Sequence, residues 1–485
     1  MKRSLIIGIF LAILAAGGGG GYFWAHSNAK EKAIQQISKV EEKVTVLFKS
    51  QLNEDIEFTY DLKSFVLYSQ TLNLENLSVK GSLGELLIPK LSISVSEGAL
   101  NINNLEKLKL KKIGESESLA EISSIKINNL NVNDLIESKN LLDLLSNLKF
   151  ENLEVLNVIA KHKDTNEPGL EISKLSIKNV NLGNVENVLL KGFFLQDTRK
   201  SPKIFLENLS IDKLSELASL FKNIDTGNKI NNLGNLFDLG SVEVSGIQVK
   251  DPITNQTANV DSFNIKLARD NGLVNSIKVK LTGLEVDKSL LQDQGVLPDE
   301  VLLSFKEDKL KLNTALKLNA DYNLSEFSSE ITIGLDKIGE ISLQAILGGF
   351  SKDFINYVLN NLDRSTSKDF TNKVNQTSTY KSLKASFSND GLTEIVIKQA
   401  QNKMNLTPDQ MVLMVSQNIE NSGEILSSDL KEKLKKAITT FIKSGKGLSI
   451  AINSKVKEGI LFPNLVASFM SGSIEDSVEL EIKGE

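Results

Sequence analysis

The sequence contains no cysteine, and its 485 residues include only two histidines, one tryptophan and seven prolines. The first absence excludes disulfides, thiolate metal sites and thiol catalysis. The second leaves little for metal binding or for proton transfer near neutral pH. His162 sits in the polar run Lys161-His162-Lys163-Asp164, the setting of a solvated loop residue. A surplus of positive charge is also missing. Against 61 acidic residues stand 56 basic ones, for a net charge of -5, so a nucleic-acid partner is not expected. Neither an H-E-x-x-H nor a G-x-S-x-G pattern occurs. The acidic residues allow many carboxylate pairs of the kind glycosidases use, but no spacing selects one. No catalytic, metal-binding or cofactor-binding residue is nominated, and a non-enzymatic role is expected.

What the chain does have begins at its N-terminus. Lys2 and Arg3 precede an uncharged run from Ser4 to Trp24, about the length that crosses a bilayer core as a helix. Its apolar residues are Leu5, Ile6, Ile7, Ile9, Phe10, Leu11, Ile13 and Leu14. Tyr22, Phe23 and Trp24 stand where an interfacial aromatic belt would lie. The dense glycine run Gly17 to Gly21 is tolerated in lipid and falls in this segment, so it is no phosphate loop. Residues 1–25 are therefore expected to be a transmembrane anchor with its N-terminus in the cytoplasm and the rest of the chain exported. A cleaved signal peptide ending near Ser27-Asn28-Ala29 is the alternative. Residues 26–50 read as a connecting helix, with Ala33, Ile34, Ile37, Val40, Val44 and Leu47 at helical spacing.

From residue 51 to 348 strand-like alternation dominates. Leu91, Ile93 and Val95 alternate with serines, and Leu310, Leu312, Leu316 and Leu318 alternate with Lys311, Asn313, Ala315 and Lys317. An eight-residue pattern recurs: apolar, x, apolar, x, x, apolar, x, apolar. It appears at Leu72–Val79, Ile125–Val132, Leu148–Val155, Leu170–Ile177, Ile204–Ile211, Val242–Val249 and Val279–Val286. In a flat strand the two halves would face opposite sides. One extra residue, taken up as a bulge, returns them to one face. Such a bulge favours positive φ, which Gly and Asn adopt most cheaply. The expected bulge positions are Asn76, Asn129, Asn152, Asn208, Gly246 and Gly283; Lys174 holds the same place in its copy. Helical stretches are expected at 135–148 and 213–222, and a helix or loop at 228–239.

Gly348-Gly349 punctuates the chain, and 349–485 reads as an α+β module. Helices are expected at 352–362, at 392–404, after the Thr407-Pro408-Asp409-Gln410 start signal, and at 429–444 before Gly445. Strands are expected at 382–387, 449–452 and 478–482. The lysines at 431, 433, 435 and 436 suit a solvated helix face better than a headgroup contact. The fold class is thus α+β and β-rich: a curved, bulged, mainly antiparallel sheet behind an N-terminal transmembrane helix, with a helix-containing C-terminal module.

This layout resembles the YdgA-like group of proteobacterial envelope proteins. The phrases LENLSV (74–79), LENLSI (206–211) and VEVSGIQVKDP (242–252) also resemble AsmA-like strand motifs, and ITIGLDKIGEISLQA (331–345) has the same texture. The resemblance implies a single-pass protein of the bacterial inner membrane with a long periplasmic portion, and supplies no catalytic residue. Two functions follow as expectations. One is an envelope protein that binds or shuttles lipid or another hydrophobic ligand along an apolar sheet face. The other is a non-enzymatic structural protein that binds an envelope protein partner through strand edges.

Overall fold

The computed structural model describes residues 57–484 apart from 67–70, 82–83, 97–98, 112–116, 131–148, 163–166, 182–183, 199, 215–239, 254, 256, 271–272, 294–301, 303–304, 306–307, 362–365, 405, 422–427 and 472. The anchor residues from Leu5 to Trp24, the connecting helix at 26–50 and the helical stretches at 135–148 and 228–239 lie outside the described residues. Among the described residues no helix is long and apolar enough to cross a membrane. The chain divides into two compact units, Met1–Thr257 and Ala258–Glu485.

The first unit is an antiparallel meander. Its strands are β1 (Glu57–Val66), β2 (Thr71–Gly81), β3 (Gly84–Ser96), β4 (Ala99–Lys111), β5 (Ser118–Leu130), β6 (Lys149–Lys161), β7 (Pro168–Asn181), β8 (Asn184–Leu195), β9 (Lys203–Leu214) and β10 (Ser241–Lys250). Each pairs with the next. One face carries a continuous core, with Ile102, Leu105, Ile125 and Leu130 fully buried.

Left-handed residues organise this sheet. Positive φ occurs at Asn76, Lys107, Asn157, Gly192 and Gly246, one on each even-numbered strand, and at Asn129, Asn179 and Lys213 on β5, β7 and β9. Followed through the strand register, the first five lie on one line crossing all the strands from β2 to β10, passing Pro89, Ser123, Ser173 and Glu207 on the odd strands between them. The other three lie on a second line through Glu151 and Glu186. On β6 to β9 the two lines are a constant six residues apart, as at 151 and 157 or 207 and 213, roughly 20 Å of strand. They act as creases, because the inward phase slips at each one. On β6 the buried residues are Phe150, then Leu153 and Val155, then Val158 and Ala160.

Asn152 and Asn208 are not among the left-handed residues, and neither is Lys174. Each follows the residue at which its strand crosses a crease, Glu151, Glu207 and Ser173. The left-handed turn at that crease is taken by the neighbouring strands, and the left-handed residue of their own strand lies five positions on, at Asn157, Lys213 and Asn179. Three of the asparagines that do turn donate their amides to acids on a neighbouring strand: Asn76 to Asp61 at 2.9 Å, Asn129 to Glu151 and Asn179 to Glu186. Pro89, which has no N–H, sits mid-sheet because the ladder misses its rungs at the crease on both sides.

The second unit comprises β11 (Thr257–Asp270), β12 (Leu273–Asp287), α1 (Lys288–Asp293), β13 (Lys309–Asp321), β14 (Glu326–Leu335), β15 (Gly339–Gly348), α2 (Lys352–Asn360), α3 (Lys368–Thr377), β16 (Thr379–Asn389), α4 (Leu392–Met404), α5 (Pro408–Glu420), α6 (Ser428–Ser444), β17 (Gly447–Ser454), β18 (Ile460–Leu461), α7 (Phe462–Met470), α8 (Ile474–Ser477) and β19 (Val478–Gly484). β11 to β17 pair in sequence order, β18 extends beside β16, and β19 pairs with β17, all antiparallel. Gly348-Gly349 lies inside this sheet: Gly348 ends β15, and β16 returns to pair along it. The segment expected as a helix at 213–222 begins instead with the last two residues of β9, and 215–222 lies outside the described residues.

Candidate functional site

Period-two alternation gives the second unit one apolar face, and the register aligns it into rows. Ile265, Val279, Leu316, Ile331, Leu343, Ala385, Ile450 and Ile482 stand directly opposite one another from β11 to β19. A second row includes Leu281, Ile333, Ile341, Phe387 and Leu448 on the same face. At β12 this alignment depends on a bulge. Thr282 and Gly283 oppose the single residue Asn313, whose Oδ1 accepts from the Gly283 N–H at 2.8 Å. Asn101 does the same for the Asn129 N–H in the first unit, also at 2.8 Å.

Helices cover the ends of this face. Phe441 of α6 meets Phe387 edge-on with ring centroids 6.0 Å apart, and the buried Ala437 leaves no room for a side chain at Gly484. Leu392 and Ile395 of α4 pack on Leu310, Leu335 and Ile338. At the opposite strand ends, Phe462 and Leu465 of α7 and Ile474 of α8 join Leu383, Ile452 and Tyr380. Phe350 packs between Phe327, tilted, and Phe354 of α2, edge-on, with ring centroids 5.3 and 5.5 Å away.

Between these covers the floor is bare. Ile331, Ile333, Ile341, Leu343 and Ile450 are 36–59% exposed, whereas the core residues of β2 to β6 in the first unit are 0–8% exposed. The result is a shallow apolar trough running across the strands. From Leu316 to Ile450 it spans five strands, about 19 Å, and the rows bearing its walls, at Leu383 and Phe387, are about 13 Å apart. Half the hydrocarbon thickness of a bilayer is about 15 Å. The floor rows carry no titratable side chain.

The chemistry elsewhere is sparse. His162 lies against Gly169, and its buried Nε2 has no hydrogen-bond partner among the described residues. Among the described residues no three His, Asp or Glu side chains converge on a metal site. A wide polar depression at Ser388, Asn389, Asp390, Glu394, Ser444 and Lys446 lies where α4 begins and α6 ends. There the Asn389 amide holds the Glu394 carboxyl below its ordinary range. The α6 lysines are answered locally, Lys433 by Asp429 at 2.7 Å and Lys435 by Glu420 of α5.

The nominated bulge residues Asn76, Asn129, Asn152, Asn208 and Gly246 all belong to the first unit, and the trough floor belongs to the second. Only Gly283 stands on a strand of the apolar face. The floor residues were not nominated from the sequence. Their signal was the alternation in Ile331-Thr332-Ile333 and Ile341-Ser342-Leu343, which marks a strand with one apolar face but not whether anything lies on it.

A family model described as "Uncharacterized protein" matches residues 332–484, the stretch from within β14 to the end of β19 that carries most of the trough. No curated protein matches the chain.

Proposed function

We propose that this chain is an extracytoplasmic envelope protein, anchored through residues 1–25, that shelters an acyl chain or similar hydrophobic ligand in the trough of its second unit. The observation that carries the reading is the bare floor at Ile331, Ile333, Ile341 and Leu343. Large aliphatic side chains left in water as one contiguous strip mark a surface meant to be covered. The floor offers dispersion contact and no hydrogen bond, and its length suits one leaflet of hydrocarbon. The uncharged run from Ser4 to Trp24 and the resemblance to YdgA-like and AsmA-like proteins support the membrane setting.

The test is binding of a fluorescent long-chain fatty acid to the full chain and to the triple variant Ile333→Ser, Ile341→Ser, Leu343→Ser. All three residues are exposed, so folding is expected to survive. Affinity should fall about tenfold or more, which corresponds to losing roughly 55 Å² of apolar contact. Unchanged affinity in the variant, or no uptake by the parent chain, would refute the reading.

A further inference from the structure

The opposite face of the same sheet carries an unusual charge arrangement. Lys266 on β11, Lys278 on β12 and Lys317 on β13 stand directly opposite one another in one row. Lys280 lies two residues from Lys278 on the same face. Directly opposed like charges destabilise a sheet, their Cβ atoms being about 5 Å apart. One outward row of the first unit shows the ordinary solution, alternation of sign, in Glu57, Lys80, Glu85 and Lys111, and another alternates over Glu75, Lys90 and Glu106, with Asp61 opposing Glu75 at its β1 end. Where two lysines do oppose there, at Lys174 and Lys191, Glu154 reaches Lys174.

In the second unit only Lys317 of the row is answered in this way, by Glu330 at 2.8 Å. The other acids nearby are taken by lysines outside the row: Asp261 by Lys311 at 2.9 Å, and Glu285 by Lys309 and Asp270 by Lys352 at 3.4 Å each. Lys266, Lys278 and Lys280 are exposed and have no ion-pair partner among the described residues.

We infer that Lys266, Lys278 and Lys280 form a docking surface for the phosphate headgroups of an anionic bilayer. Side chains on an open sheet face, with no pocket among them, give a small anion nothing to sit in, since recognition of a small ligand needs concavity. The backbone donors beneath are spent in the ladder. An extended anionic surface needs neither concavity nor free backbone donors. A nucleic acid would need a longer basic track, and this row turns acidic at Glu330. The inference is independent of the trough, which opens on the other face.

The experiment is flotation of the full chain, held in zwitterionic nanodiscs, with vesicles of phosphatidylcholine or of phosphatidylcholine mixed with phosphatidylglycerol. Flotation is expected with the anionic vesicles alone, and it should disappear at about 1 M salt, where the screening length is about 3 Å. The triple variant Lys266→Gln, Lys278→Gln, Lys280→Gln should weaken it about a hundredfold, at about fivefold per lysine. The control variant Lys90→Gln, Lys109→Gln, Lys126→Gln should float like the parent. No flotation of the parent overturns the inference. So does equal flotation of the lysine variant, or a parent that prefers soluble polyphosphate to vesicles. Fatty-acid binding in the trough is read separately, so either idea can fail alone.

Discussion

At the scale of single residues, the first unit is shaped by where the backbone turns left-handed. Asparagine and glycine take most of those places because they enter that region at least cost, but Lys107 and Lys213 do so as well. Each copy of the eight-residue pattern noted in the first unit spans one crease crossing, since an inward phase can slip only where a strand bends, but the crossings at Lys107, Asn157, Asn179, Gly192 and Lys213 were not read from it. It could not say which residue turns, because that depends on the neighbouring strand. Asn76 and Gly246 turn on even strands at one crease, whereas Asn208 sits beside Glu207 on an odd strand at the same crease and stays extended. Gly283 is the most constrained of the set. Its φ is 66°, and a Cβ there would lie 2.0 Å from Asp261 Oδ2. Gly283→Ala should therefore cost about 2–3 kcal/mol in urea unfolding. Lys107→Gly, which relieves an unfavourable φ at the expense of backbone entropy, should change stability by less than about 1 kcal/mol. Equal losses in the two would contradict this account of the bends.

At the scale of elements, helices with strong termini were legible and those without were not. α5 announced itself through Thr407, Pro408 and Gln410, and the full capping box forms, with Thr407 Oγ1 accepting from the Gln410 N–H at 3.3 Å and Gln410 Oε1 accepting from the Thr407 N–H at 2.8 Å. α6 combined Asp429 in its first turn with Lys443 in its last. α3 has Ser367 as its cap, but its sequence offers only Phe370 and Val374 at helical spacing, too short a stripe to announce a helix. The nine residues of α7, FPNLVASFM, carry no charge and read as readily as a strand. Because α5 packs mainly on α6, with ion pairs such as Lys443–Asp409 between them, its cap should matter to it. Thr407→Ala is expected to lower stability by about 1 kcal/mol, seen as faster amide exchange confined to 408–420. Exchange unchanged over that segment would show that the packing alone holds the helix.

At the scale of the molecule, the two units put the same antiparallel logic to different ends. In the first, the core residues of β2 to β6 are all but removed from water; in the second, equally apolar residues of β14 and β15 are left in contact with it. No local signal distinguishes Ile125, fully buried, from Ile341, more than half exposed, because both alternate with polar neighbours on well-formed strands. Coverage is a property of what packs from elsewhere in the chain, here the helices that stop short of the floor. The floor was therefore readable as a strand face and unreadable as a site. Photolabelling of the full chain with a diazirine-bearing fatty acid, followed by peptide mass mapping, tests the sheltering role most directly. Label is expected in 331–347 and in the part of β16 around Ala385, between the helical covers. Label scattered over the surface in proportion to exposure, or concentrated in β2 to β6 of the first unit, would contradict it.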